Sequence, residues 1–193
     1  MVLHAVKSMT LRRIPRVSGD TLPKNLTGKG KTTAAMGLIM RAAGRGLKTM
    51  IYQFLKCSES GEICILKTLP GVTYIENTVD SPFLFNLTDE QKEYYASLYE
   101  EEFDNLCGMV NSGEYDLCVL DEVIDAYNMG LVPREKLHRL MEEKPEGTEL
   151  VITGHDINGP VADLIERSDY VTHFVKEKHP YDRGIPCRIG IEE

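Results

Sequence analysis

Short, continuous apolar runs, each followed by a helical pattern, constrain the fold of this chain more than any other feature. The clearest is "YDLCVLDE", apolar from Leu117 to Leu120 and ending in Asp121 and Glu122. "KTMIYQFL" (48–55), "VTYIE" (72–76), "ELVITG" (149–154) and "YVTHFV" (170–175) read the same way. A strand with one wet face alternates apolar and polar residues. A strand without alternation is covered on both faces, as in parallel sheets whose crossover helices pack on either side.

The segments between these runs supply the helices. "TTAAMGLIMRAAGRG" puts Ala35, Leu38, Ile39 and Ala42 on one helical face, with Gly44 or Gly46 to end it. "GEICILKTL" predicts a short helix before the Pro70–Gly71 turn. "TDEQKEYYASLYEEEFDNLCGMVNSG" predicts a long one, with Thr88 and Gln91 spaced as a capping box. Two short helices follow, one near 122–128 and one opened by Pro133 at a first-turn position. "PVADLIERS" is a further helix. The alternation predicts the α/β class, with a mostly parallel sheet and helices on both faces. A chain of 193 residues is long enough for one such domain with a real core.

Residues 1–26 break the pattern. "LRRIPRVSGDTLPKNL" has no period of 2 or 3.6, and Pro15 and Pro23 interrupt it. An irregular N-terminal segment is expected there, with 27–193 forming the domain. "VLHAV" (2–6) has strand composition but lies too far upstream to feed the following loop directly.

The net charge of −8 argues against broad nucleic-acid or membrane binding, while leaving room for a small anion at a local basic loop. No apolar run is long enough to span a bilayer, and the N-terminal basic residues lack an apolar signal core. The five cysteines are odd in number, irregular in spacing and without a CxxC pair, which reads as reduced thiols in a cytoplasmic protein.

Such a basic loop exists. In "TGKGKTT", Gly28 and Gly30 offer bare backbone, Lys31 an ammonium and Thr32 a hydroxyl, with Lys29 adding charge and Thr33 following. A phosphate loop needs these parts: N–H groups close to anionic oxygens, a lysine for the outer phosphates, and a hydroxyl for Mg²⁺. The helix that starts near Lys31 aims its positive end at the same place. A lysine-rich turn would explain the loop alone. Acidic preference at a helix start would explain Asp121 and Glu122 alone. Both motifs in this order, with strands and helices between them, point to a nucleotide–Mg²⁺ site.

On these residues the chain resembles the ATP-dependent corrinoid adenosyltransferases of the phosphate-loop type. The matching pieces are "GKGKTTAAMGLIMRAAGRGLKT", "QFLK", "GEYDLCVLDEVIDAYNMGLV", "KPEGTELVITG", "SDYVTHF" and "KHPYDRGIPCRIGIE", in family order from Gly28 to the C-terminus. The resemblance implies a RecA-like fold and a homodimer. It implies transfer of the 5′-deoxyadenosyl group of ATP to the cobalt of a reduced corrinoid, with release of triphosphate and a flavoprotein as reductant. By the same resemblance Gly28, Lys29, Gly30, Lys31, Thr32 and Thr33 hold the triphosphate, and Arg41 lies near the nucleotide. Thr32, Asp121 and Glu122 serve Mg²⁺. Phe83 and Phe85, in "SPFLFNLTDEQ", match the aromatic segment that packs under the corrinoid ring; plain loop packing accounts for them as well. No acid–base residue is implied, and His155, His173 and His179 read as structural or surface groups.

Some positions depart from the family pattern. Leu26 and Asn25 stand where the loop's first glycine and a threonine belong, and "GDTLPKNL" does not read as the apolar strand expected before the loop. Cys57 replaces a glycine after "QFLK", and His155 an arginine after "VITG". Three readings therefore stand: an active adenosyltransferase, an impaired or non-catalytic homologue that binds corrinoid or nucleotide, and a phosphoryl-transferring or ATP-hydrolysing relative.

Overall fold

The computed structural model describes residues 1–5, 29–56, 60–79, 88–155 and 161–191. The predicted Gly28, Phe83 and Phe85, with Asn25, Leu26 and Cys57, lie outside the described residues. Six strands form one sheet in the order β3-β2-β4-β5-β1-β6. They are β1 (Val2–Ala5), β2 (Thr49–Gln53), β3 (Val72–Ile75), β4 (Leu117–Asp121), β5 (Glu149–Thr153) and β6 (Tyr170–Thr172). β3, β2, β4 and β5 pair in parallel, whereas β1 is antiparallel to both β5 and β6. The helices are α1 (Lys31–Ala43), α2 (Gly61–Leu66), α3 (Asp89–Asn111), α4 (Val123–Asn128), α5 (Arg134–Glu143) and α6 (Ala162–Glu166).

The lack of alternation in the apolar runs has the predicted cause. Successive residues of β2 and β4 go to opposite faces, and both faces are covered. Met50, Tyr52, Cys118 and Leu120 join one core, while Ile51, Leu117 and Val119 join the other. The second core is closed by α1 and α2 through Ala35, Met36, Ile39, Ala42, Ile63 and Leu66. Leu38, predicted on the buried stripe, is only half-buried, and Met36 takes the buried place. The first core is closed by α3 to α6. The long α3 presents Tyr99, Phe103, Leu106 and Val110, spaced as one helical stripe. Thr88 caps it through the predicted box: the Gln91 N–H donates to Thr88 Oγ1 at 3.3 Å and the Thr88 N–H donates to Gln91 Oε1 at 3.0 Å. Pro133 stands one residue before α5 and so serves as its cap rather than its first residue. Tyr127, His138 and Asp163 tie α4, α5 and α6 together: the Tyr127 hydroxyl donates to Asp163, and His138 Nε2 lies 2.8 Å from the same carboxylate.

At the N-terminus the structure differs from the expectation of an irregular segment. Val2–Ala5 enter the sheet between β5 and β6, with Leu3 fully buried opposite Ile152 and Val171. Their strand composition prevails because the position offers ladder partners on both sides and an apolar face. Removing most of the Leu3 side chain should cost about 2–5 kcal/mol, as for other fully buried leucines. Urea unfolding of Leu3→Ala against the unmodified protein checks this. A loss below about 0.5 kcal/mol, the range of surface substitutions, would show that β1 is not part of the folded sheet.

Candidate nucleotide-binding site

Three parallel strands end side by side, each in a buried polar residue. Gln53 closes β2, Asp121 closes β4 and Thr153 closes β5. Apolar residues fill the strands behind them, so these positions mark where core gives way to site. The crevice beyond the carboxyl ends of parallel strands is the usual ligand position in open α/β sheets.

Asp121 gathers donors from four elements. It accepts from Thr153 Oγ1 at 2.6 Å, Lys56 Nζ at 2.8 Å, Gln53 Nε2 at 3.0 Å and Thr32 Oγ1 at 3.1 Å. Burial alone would push its pKa up. The Lys56 ammonium, with the hydrogen bonds from Lys56, Thr153 and Gln53, outweighs that and holds the carboxyl below the usual value. Glu122, next along, is in a different state. Burial, reinforced by Asp121 and Asp125 and opposed by Lys56 and His155, pushes it up to about 7. Its backbone is left-handed, with φ 62°, and its N–H donates to Thr153 Oγ1 at 3.0 Å. Leu55, just past the end of β2, is the other non-glycine residue with positive φ among the described residues, at 58°. Both unfavourable conformations flank Asp121, where the chain turns sharply off adjacent strands.

The loop lies opposite. Gly30, at φ 112°, adopts a backbone that glycine accepts freely and caps α1, with the Ala34 N–H donating to its carbonyl at 2.8 Å. From there α1 directs Lys31 and Thr32 at the strand ends. Lys31 Nζ lies 3.0 Å from His155 Nε2. Burial lowers its pKa, against the opposing pull of Asp125, Glu122 and Asp121. Lys29 donates to the carbonyl of Ile191, which brings the C-terminal tail across the loop.

A cavity of about 700 Å³ lies between these parts. Lys29, Gly30, Lys31, Thr32, Thr33, Lys56 and Glu122 line it, with Ser60, His155 and the tail at Gly190 and Ile191. Its size fits a nucleotide-sized ligand. Ser60 Oγ is buried in its wall without a hydrogen-bond partner among the described residues, a polar atom that a bound ligand would satisfy. Of the predicted residues, Lys29, Gly30, Lys31, Thr32, Thr33 and Glu122 therefore converge. Asp121 lies beneath them rather than on the surface of the cavity. Arg41 does not join them: it is exposed in the last turn of α1, about 15 Å along the helix from Lys31 at 1.5 Å per residue.

The sequence assigns no site role to Lys56 and reads His155, at the arginine position after "VITG", as a structural or surface group; both line the cavity. Each lies just past the end of a parallel strand, and that position is the signal that marks them.

Comparison with known proteins agrees with the geometry. The family described as "ATP:corrinoid adenosyltransferase BtuR/CobO/CobP" matches residues 27–192, most of the chain. The chain belongs to the corrinoid adenosyltransferase family. It is similar to the corrinoid adenosyltransferase of Escherichia coli K12, at 30% identity over 86% of this chain and 81% of that protein. It is also similar to that of Pseudomonas aeruginosa, at 28% over 90% and 83%, and to that of a Sinorhizobium species, at 29% over 86% and 76%. The family match begins at residue 27, so it takes in the "TGKGKTT" loop and leaves β1 outside.

The ion pair at Asp121 sets a stability expectation. A carboxyl whose pKa is lowered on folding stabilises the protein above its unfolded pKa, near 4, and loses that contribution as pH falls through the folded value. Asp121→Asn should therefore cost roughly 3 kcal/mol at pH 7, where it removes the close carboxylate partner of Lys56 and leaves only the 3.9 Å contact with Glu122. The gap from the unmodified protein should shrink on acidification below about pH 4. Denaturant titrations at pH 7 and pH 3 measure it, and an equal gap at both would contradict the assigned charge state.

Proposed function

We propose that the protein transfers the 5′-deoxyadenosyl group of ATP to the cobalt of a reduced corrinoid and releases triphosphate. The observation that carries this is the cavity itself: Lys29, Lys31, Thr32 and Glu122 converge on one nucleotide-sized space, in a chain whose family is named for this transfer.

The chemistry asks for little acid–base help. Cobalt(I) is the nucleophile. Its electron pair forms the cobalt–carbon bond at C5′, the C5′–oxygen bond breaks, and that bond's pair leaves with the triphosphate. The protein must align the three reacting atoms and neutralise the departing charge. Lys29 and Lys31, with the amino end of α1, supply positive potential where the polyphosphate sits. The displacement itself needs no base, so neither Glu122 nor His155 on the cavity wall is assigned that role.

The residues present also fit Mg²⁺. Among the described residues no cluster of three or more His, Cys, Asp or Glu forms a metal cage. Mg²⁺ bound with a nucleotide does not require one, since it takes one or two protein oxygens and completes its shell with phosphate and water. Thr32 and Glu122 are oxygen donors on the cavity wall and would hold it. Asp121, whose oxygens already receive Thr32, Gln53, Lys56 and Thr153, would orient Thr32 from behind. Bound there, Mg²⁺ would neutralise triphosphate charge.

Phe83 and Phe85 are the residues we assign to the corrinoid face, as an apolar wedge under the ring. A homodimer, a flavoprotein reductant and a cytoplasmic location complete the proposal. The free thiols of Cys64, Cys107, Cys118 and Cys187 suit a reducing compartment, and no described helix is long and apolar enough to cross a membrane.

The test is anaerobic incubation with a reduced corrinoid, ATP and Mg²⁺, following the absorbance change of cobalt–carbon bond formation. Product should accumulate with the unmodified protein. Lys31→Ala should lower the rate by at least roughly a hundredfold, as expected for losing a charged contact to the leaving group, without a comparable loss of stability. Turnover unchanged in that variant would count against the site, and no product at saturating ATP would overturn the catalytic assignment.

A further inference from the structure

His155 is held more firmly than a surface histidine needs to be. Gly154 brings it there. A Cβ built on Gly154 would lie 2.5 Å from Ile124 Cβ and 2.7 Å from Asp125 Oδ2, so only glycine lets β5 pass this close to α4. The close approach gives His155 three anchors. Its N–H donates to Asp125 Oδ2 at 3.1 Å, its Nδ1 lies 3.0 Å from Asp125 Oδ1, and its carbonyl accepts from Asn128 Nδ2 at 3.1 Å. Asp125 thus fixes the ring plane and engages one ring nitrogen. The other nitrogen, Nε2, faces the cavity and meets Lys31 Nζ at 3.0 Å.

Two cation-forming side chains seldom point at one another without an anion between them or a shared proton. With Nδ1–H donated to the Asp125 carboxylate, the neutral ring has its lone pair on Nε2, and that lone pair accepts from the Lys31 ammonium. In this arrangement His155 holds Lys31 inside the cavity. A polyphosphate would change the partners of both. Lys31 would donate to a phosphate oxygen, and Nε2, carrying a proton taken from solvent, would do the same. Among the described residues, the charged and titratable groups around His155 are Lys31 of α1, Asp125 of α4 and Glu122 of the β4–α4 turn.

We propose that His155 is a second polyphosphate-binding side chain of this cavity, preset by Asp125, which holds Lys31 before the nucleotide arrives and then donates Nε2–H to a phosphate oxygen beside it. The proposal rests on the reading above that the cavity takes a nucleotide polyphosphate, and it adds a residue outside the phosphate loop to that site.

The experiment is calorimetric binding of ATP, inorganic tripolyphosphate and adenosine to the unmodified protein, His155→Ala, His155→Arg and Asp125→Asn, with circular dichroism to confirm folding. His155→Ala should weaken ATP and tripolyphosphate by the same factor, roughly tenfold to a hundredfold for a charge-assisted hydrogen bond, and leave adenosine unchanged. His155→Arg should recover most of the loss, because its guanidinium donates to phosphate without Asp125. Asp125→Asn should fall between. Should His155→Ala fail to fold, nitrogen-15 resonances of the unmodified protein's imidazole decide the matter: tripolyphosphate should move the Nε2 signal of His155 to the protonated position. Tripolyphosphate bound by His155→Ala as tightly as by the unmodified protein, or more tightly, would overturn the proposal, as would an Nε2 signal that does not move. These outcomes are separate from adenosyl transfer. His155-dependent tripolyphosphate binding without cobalt–carbon bond formation would sink the proposed function and leave this inference standing. Normal transfer with His155-independent binding would do the reverse.

Discussion

The buried carboxylate of Asp121 is the interaction on which the rest of the site depends. An ionised group with no exposed surface is costly unless its charge is met and its lone pairs are used. Lys56 meets the charge, and Thr32, Gln53 and Thr153 use the oxygens. Those four partners come from the start of α1, the end of β2, the segment just beyond it and the end of β5. One carboxylate therefore fixes the start of α1 against the strand ends, and the cavity is the space left above that junction.

Two neighbouring carboxylates have separate duties because their surroundings differ. Asp121 is committed to protein donors and stays ionised. Glu122 is turned away by a left-handed backbone, has only a distant contact with Lys56 at 3.9 Å, and holds its proton up to about pH 7. A cation arriving with a nucleotide would displace the proton of Glu122 and take its freed oxygen, whereas Asp121 is already occupied. The same division appears across the cavity, where Lys29 and Lys31 are engaged by Ile191 and His155 in ways that a polyphosphate could replace.

Much of this was legible in the sequence. Continuous apolar runs announced strands buried on both faces, because helices cover both sides of the sheet. Thr88 and Gln91 announced the start of α3 through spacing alone. "TGKGKTT" and "LCVLDE" marked two segments that the structure brings to one cavity, where Lys29 to Thr33 and Glu122 line the wall. What was hidden depends on tertiary placement. Lys56 ends "QFLK" and His155 follows "VITG", yet neither piece states a site role, and both become site residues only when parallel strands end side by side. Arg41 looked close to the nucleotide by resemblance, yet a helix carries it a long way from its own first turn. The antiparallel entry of Val2–Ala5 is decided by open ladder positions on β5 and β6, which four residues of sequence do not display.

The central claim is that the cavity positions a triphosphate as a leaving group. Phosphorus-31 magnetic resonance of the complete reaction, with ATP, Mg²⁺ and reduced corrinoid, tests it most directly. The account predicts inorganic triphosphate, formed in equal amount to the cobalt–carbon bond. Orthophosphate formed whether or not corrinoid is present would contradict it and assign the site to phosphoryl chemistry instead.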